Sequence, residues 1–286
     1  MTAHPAYLRH FKKYKDKVKS MDYKKMYAEK LVSADTAAAA VKSGDWVDYG
    51  WTTGTPVAVD AALAKRMPEL YNVNFRGGIL MWVPEIFKIE NPAEHLTWNS
   101  WHMSGIERKA IAQGFSYYAP IRYSELPRYY RESASKPDVA IFQVAPMDEH
   151  GYFSFGTTGA ECQALTIKAR HVFLEVNANM PRTFGDQQIH ISQVEFICEN
   201  NTPLQEAAPV EEDTVSRTIG ALIAEEIPHR ATIQLGIGAI PAAVGMCLRD
   251  KHDLGIHTEL FSDSMVELIE SGAVTNSCKA IHRGKS

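Results

Sequence analysis

The chain has 286 residues, 45% of them hydrophobic and 22% charged. That is enough apolar material for one large or two ordinary domains, and the charged fraction indicates neither an intrinsically disordered nor a membrane protein. The net charge of −4 gives no reason to expect nucleic acid or another long polyanion as a partner, while a small anionic ligand stays open.

The first 30 residues are basic, but Asp16, Asp22 and Glu29 interrupt them and no apolar run follows. The segment is expected to be a solvated helical face rather than a leader peptide, and no stretch has the length of a transmembrane helix. Ser33–Ala40 opens with Ser33 and Asp35 as candidate caps and predicts a helix ending near Gly44. Trp46–Tyr49 predicts a short strand, followed by a Gly-Thr loop (Gly50–Pro56) and an Ala-rich helix over Pro56–Met67. The apolar, β-rich runs Val139–Val144 and His171–Val176 predict buried strands.

The turn cluster Glu199–Pro203 and the acidic helix start around Pro209, Glu211, Glu212 and Asp213 divide the chain into domains of residues 1–205 and 206–286. Beyond them Val215–Ile227 predicts a helix, Ala231–Leu235 a strand, Ala242–Leu248 a helix and Ile256–Leu260 a short strand. Strands alternating with helices imply an α/β fold with mainly parallel sheets.

Two loops draw attention. Gly236-Ile237-Gly238-Ala239-Ile240 joins a predicted strand to a predicted helix. Such a loop can bring backbone N–H groups close to an anion, although the same pattern also serves plain packing. Glu259 falls at the carboxyl end of the next predicted strand, where parallel sheets place ligands; taken alone, a glutamate there is more often a surface charge or a helix-cap partner. The Gly50–Pro56 loop either contacts a ligand or is a tight turn with Pro56 in the first helical turn. The aromatic residues Trp98, Trp101, Tyr117 and Tyr118 either wall a small pocket or pack a core. Cys162, Cys198, Cys247 and Cys278 lie far apart without CxxC spacing, which suits buried or incidental thiols in a reducing cytoplasm. His102, His150, His190 and His257 have no metal-ligand spacing and are expected to be hydrogen-bonded structural groups; no metal is expected.

Several longer segments carry a resemblance. LGIGAIPAAV (Leu235–Val244) and LGIHTELFSDSMVELIESGAVTN (Leu254–Asn276) resemble the active-site region of the acetyl-CoA hydrolase/transferase family. Ala93–Ile111 and Tyr117–Glu132 resemble its butyryl-CoA:acetate branch, close to the 4-hydroxybutyrate CoA-transferases. Val144–Gly156 and Glu175–Ser192 resemble the wider family.

The resemblance implies two open α/β domains of CoA-transferase type, with Glu259 as nucleophile and Gly236–Ile240 as the CoA-contacting loop. The N–H around Ile237 would be an oxyanion donor. It implies acyl-CoA and short carboxylates such as acetate and butyrate as partners, coenzyme A as substrate rather than bound cofactor, and transfer through a glutamyl-CoA thioester. The apolar neighbours Ile256, Leu260 and Phe261 are expected to desolvate Glu259. An acetyl-CoA hydrolase using the same glutamate, or a non-catalytic CoA-binding half-subunit, are the competing expectations. Family members continue beyond the position of Ser286, so the second domain is expected to be incomplete here and the chain alone to have little activity. A homo-oligomer, or a second polypeptide completing the site, is implied on the same ground.

Overall fold

The computed structural model describes residues 22–133, 136–208, 211 and 213–286. It divides into two units, one reaching Glu206 and the other running from Ala207 to Ser286. The basic residues before Asp22, together with Pro209 and Glu212 of the acidic helix start, lie outside the described residues.

In the first unit the strands are β1 (Trp46–Tyr49), β2 (Val73–Gly77), β3 (Leu96–Ser100), β4 (Ser116–Tyr118), β5 (Val139–Val144), β6 (Tyr152–Ser154), β7 (His171–Val176), β8 (Gln188–His190) and β9 (Phe196–Glu199). Its helices are α1 (Tyr23–Lys30), α2 (Ala34–Ala39), α3 (Ala58–Arg66), α4 (Pro92–His95), α5 (Gly105–Ala112), α6 (Leu126–Glu132) and α7 (Cys162–Lys168). A seven-stranded parallel sheet in the order β4-β3-β2-β1-β5-β7-β9 forms its centre, and β6 and β8 make a separate antiparallel pair. Every residue of β5 is buried, as expected for a central parallel strand covered on both faces.

Alternation along each strand sorts the two faces. Val47, Phe75, Trp98 and Ile141 join one apolar cluster; Ala140, Phe142, Val144 and Leu174 join the other, with Phe153 and Leu165. Asp48 and Arg76 are opposite each other on β1 and β2, with Arg76 Nη2 2.7 Å from Asp48 Oδ2, and both side chains are buried. The guanidinium also lies over the rings of Trp46 and Tyr130.

Local signals account for several helix limits. Ser33 caps α2 by accepting from the Thr36 N–H, a contact of the kind worth about 1 kcal/mol. Helix α1 is not wholly solvated: Tyr23, Met26 and Tyr27 pack on the core while Lys25 and Glu29 pair at the surface.

The second unit contains α8 (Thr214–Glu226), β10 (Thr232–Ile233), α9 (Ala239–Cys247), β11 (Gly255–Ile256) and α10 (Asp263–Glu270). Strands β10 and β11 pair in parallel. Asp213 and Ser216 form a reciprocal cap on α8. Gly220 lets α8 approach α9 closely: a Cβ there would lie 2.8 Å from the Ala243 carbonyl carbon. Among the described residues no helix is long and apolar enough to cross a membrane.

Candidate active site

Helix α9 begins three residues earlier than the sequence pattern suggests, immediately after Gly238. Pro241 falls in its first turn, where a missing N–H costs no hydrogen bond. Gly238 has φ +125° and ψ 177°, a conformation open to glycine alone. Neither Gly236 nor Gly238 has a neighbour closer than 4.0 Å to an added Cβ, so the loop is open on its outer side. The N–H groups from Gly236 to Ile240 find no acceptor among the described residues. The loop therefore presents a run of free donors at the positive end of a helix.

Glu259 is brought to the same end of the parallel pair. The His257 N–H donates to the Ile233 carbonyl at 3.0 Å, and Thr258 Oγ1 donates to the Leu235 carbonyl at 3.3 Å. Leu235 directly precedes Gly236, so one hydrogen bond ties the residue before Glu259 to the start of the glycine loop. Thr258 was missed by sequence reasoning, because a lone threonine beside a glutamate carries no signal without the strand register.

Two expectations are corrected here. The strand predicted over Ile256–Leu260 is only Gly255–Ile256, and the chain bends away before α10 starts at Asp263. Among the described residues the pairing of this strand with β10 stops at Ile256. As a result Glu259 is exposed, and Leu260 and Phe261 are themselves 41% and 53% exposed. They do not desolvate the carboxylate; of the three proposed apolar neighbours only Ile256 is buried.

The Gly-Thr loop of the first unit turns between β1 and α3, and Pro56 precedes rather than enters the helix. Thr52 is held at φ +46°, unusual for a β-branched residue. Thr52 and Thr53 hydrogen-bond Thr158 and Thr157 of a second Thr-Thr-Gly turn. Buried Glu175 closes the helix end from below: its carboxylate accepts from the N–H groups of Val57, Ala58 and Val59 at 2.9–3.1 Å and from Asn200 Nδ2 at 2.8 Å. That helix end is thus already occupied by an internal anion. The signal for Glu175 was a charge inside the apolar run HVFLEV.

Strand order reverses between β1 and β5, and a crevice of about 190 Å³ lies there, lined by Thr53, Val57, Trp82, Gln143, Pro203 and Leu204. This is the switch point at which open parallel sheets bind ligands. The aromatic residues separate: Trp98 is core, Tyr117 is exposed, and Trp101 and Tyr118 line a pocket of about 150 Å³ with Trp51, His102 and Tyr123.

The thiols are all free, Cys162 and Cys198 buried and Cys247 exposed. Of the four histidines, His190 is hydrogen-bonded to Ser192, while His150 and His257 are exposed.

The model of the acetyl-CoA hydrolase/transferase N-terminal domain matches residues 15–206. The chain is 52% identical over 269 residues to the butyryl-CoA:acetate CoA-transferase of Anaerostipes caccae, covering 92% of this chain and 60% of that protein. It is 36% identical over 265 residues to the 4-hydroxybutyrate coenzyme A transferase of Clostridium kluyveri, covering 93% and 62%. The crystal structure of RipA from Yersinia pestis matches with a TM-score of 0.86 at 32% identity, covering 93% of this chain and 64% of that one. The chain thus spans about three-fifths of the length of the curated relatives it matches. It belongs to the acetyl-CoA hydrolase/transferase family.

Proposed function

We propose that the protein of which this chain is part transfers coenzyme A from butyryl-CoA, or another short acyl-CoA, to acetate, with Glu259 as nucleophile. The observation that supports the reading is the Thr258–Leu235 bond, which joins the residue before Glu259 to the residue before a loop of unused N–H donors.

In the first step a Glu259 oxygen attacks the thioester carbonyl, forming a mixed anhydride and releasing CoA thiolate. The thiolate then attacks the glutamyl carbonyl, giving a glutamyl-CoA thioester and free butyrate. Acetate attacks that thioester and the two steps reverse, yielding acetyl-CoA and the original carboxylate. A carboxylate suits this role because both its anhydride and its thioester retain the acyl-transfer energy. Each attack creates an oxyanion, and the N–H groups around Ile237 are the donors we assign to it; losing one such donor typically costs about 100- to 1000-fold.

Mass spectrometry after incubation with butyryl-CoA and trapping with hydroxylamine tests the reading. Modification at Glu259 is expected; modification at another residue refutes it. The exposure of Glu259 also favours a second reading, hydrolysis with water as final acceptor. CoA release that is indifferent to acetate distinguishes hydrolysis from transfer.

A further inference from the structure

We propose that Lys279, together with Asn276, is a positioning residue for Glu259, because the two side chains hold both main-chain groups of Ile256. The role rests on the nucleophile reading above.

Among the described residues β11 pairs in parallel with β10, and the N–H and carbonyl of Ile256 find their partners elsewhere. Two side chains supply both. Asn276 Oδ1 accepts from the Ile256 N–H at 2.9 Å, and Lys279 Nζ donates to the Ile256 carbonyl at 2.6 Å. Lys279 is 2% exposed and Asn276 7%. Burying a lysine is costly, and here both of its acceptors are main-chain carbonyls, the second being that of Lys285.

The local chain path explains how the two side chains arrive. Val274 makes a parallel bridge to Leu254, as if starting a third strand. Asn276 then adopts φ +57°, a conformation asparagine tolerates, and the pairing stops. From there the side chains hold the main chain of Ile256. Gly255 makes room for Lys279: an added Cβ would lie 2.5 Å from Lys279 Cγ and 3.0 Å from Thr232 Oγ1.

Ile256 is three residues before Glu259. Its inner side is held through the His257 and Thr258 bonds to the β10 segment, and its outer side through Asn276 and Lys279. The last strand residue before the bend is therefore clamped from both directions. A clamp of this kind matters for an exposed nucleophile that has little packing of its own, since a displacement of about 1 Å can cost about 100-fold in rate.

Lys279→Met keeps most of the stem and removes the donor. Three quantities are compared with the wild type: hydrogen exchange in peptides covering residues 254–262, CoA affinity, and the rate of CoA adduct formation on Glu259. Exchange there is expected to rise about tenfold while α8 and the first unit are unchanged. Adduct formation is expected to fall about 100-fold with CoA affinity unchanged. Unchanged exchange, or an unchanged adduct rate, overturns the proposal. Wild-type protein forming no adduct on Glu259 overturns the nucleophile reading and this role with it, while the exchange result still decides whether Ile256 is held. If Lys279→Met unfolds the second unit, Asn276→Ser, which removes the Ile256 N–H acceptor together with the Asn276 Nδ2 bond to Ser286 Oγ, carries the same comparison with the same two refuting results.

Discussion

Glu161, which precedes α7, makes the most sharply testable prediction. It is 2% exposed, and its Oε2 has no hydrogen-bond partner among the described residues. Burial pushes its carboxyl from an ordinary value of 4.5 up to about 8; the negative charge of Asp48 adds to this, while the nearby Trp51 indole N–H and the charge of Arg76 oppose it.

Below pH 4.5 folded and unfolded chains both hold the proton, and the group makes no difference. From 4.5 to about 8 the unfolded chain releases the proton and the folded one keeps it, so stability falls as pH rises. At about 1.4 kcal/mol per pH unit the loss reaches about 5 kcal/mol by pH 8. Glu161→Gln resembles the protonated form and removes this slope. Its advantage over the wild type should be small at pH 5 and should grow by about 4 kcal/mol by pH 8. Asp60, pushed up to about 7 by burial, adds a slope of the same sign that stays in both proteins.

Urea unfolding followed by tryptophan fluorescence reads the first unit, because Trp46, Trp51, Trp82, Trp98 and Trp101 all lie in it. A constant offset from repacking cancels between the two pH values. An advantage that does not grow with pH refutes the account of a buried, neutral Glu161.

Other substitutions address the site and its supports. Glu259→Asp withdraws the carboxylate by one methylene, about 1 Å, and should lower adduct formation on the order of 100-fold, measured by single-turnover mass spectrometry. Gly238→Ala forces a side chain into φ +125° and should cost about 1–3 kcal/mol in the loop conformation; calorimetry should show CoA binding weakened at least about tenfold. Glu175→Gln sets an amide NH₂ against three helix N–H groups and should lower first-unit stability by about 3 kcal/mol in the same urea assay. Gly245→Ala places a Cβ 2.7 Å from Ser264 Cβ, where α9 meets α10; overpacking of about 1–3 kcal/mol should appear as faster hydrogen exchange confined to the second unit.

Where a strand is long and buried on both faces, its residues announce it. Val139–Val144 and His171–Val176 were legible to the residue, since a run of apolar β-formers has few other homes in an α/β chain. Cap chemistry likewise placed the start of α2 at Ser33. In the second unit the same reasoning overextended β11, because Thr258, Leu260 and Phe261 have strand-like side chains while among the described residues the pairing with β10 stops at Ile256. Propensity is local, and pairing is not.

The sequence by itself determined the α/β class, the parallel strands, and the family, because these rest on periodicity and on long ordered segments. It also singled out Glu259 and Gly236–Ile240 as a pair worth testing. Only the tertiary structure decided that Thr258 bonds the residue before the glycine loop, that Glu175 occupies the helix end beside the Gly-Thr loop, and that Lys279 and Asn276 hold the main chain of Ile256. Each of these is a hydrogen bond between groups 20 or more residues apart in the chain. No local pattern encodes such a contact; it exists only once the strands have set the register that brings donor and acceptor within reach.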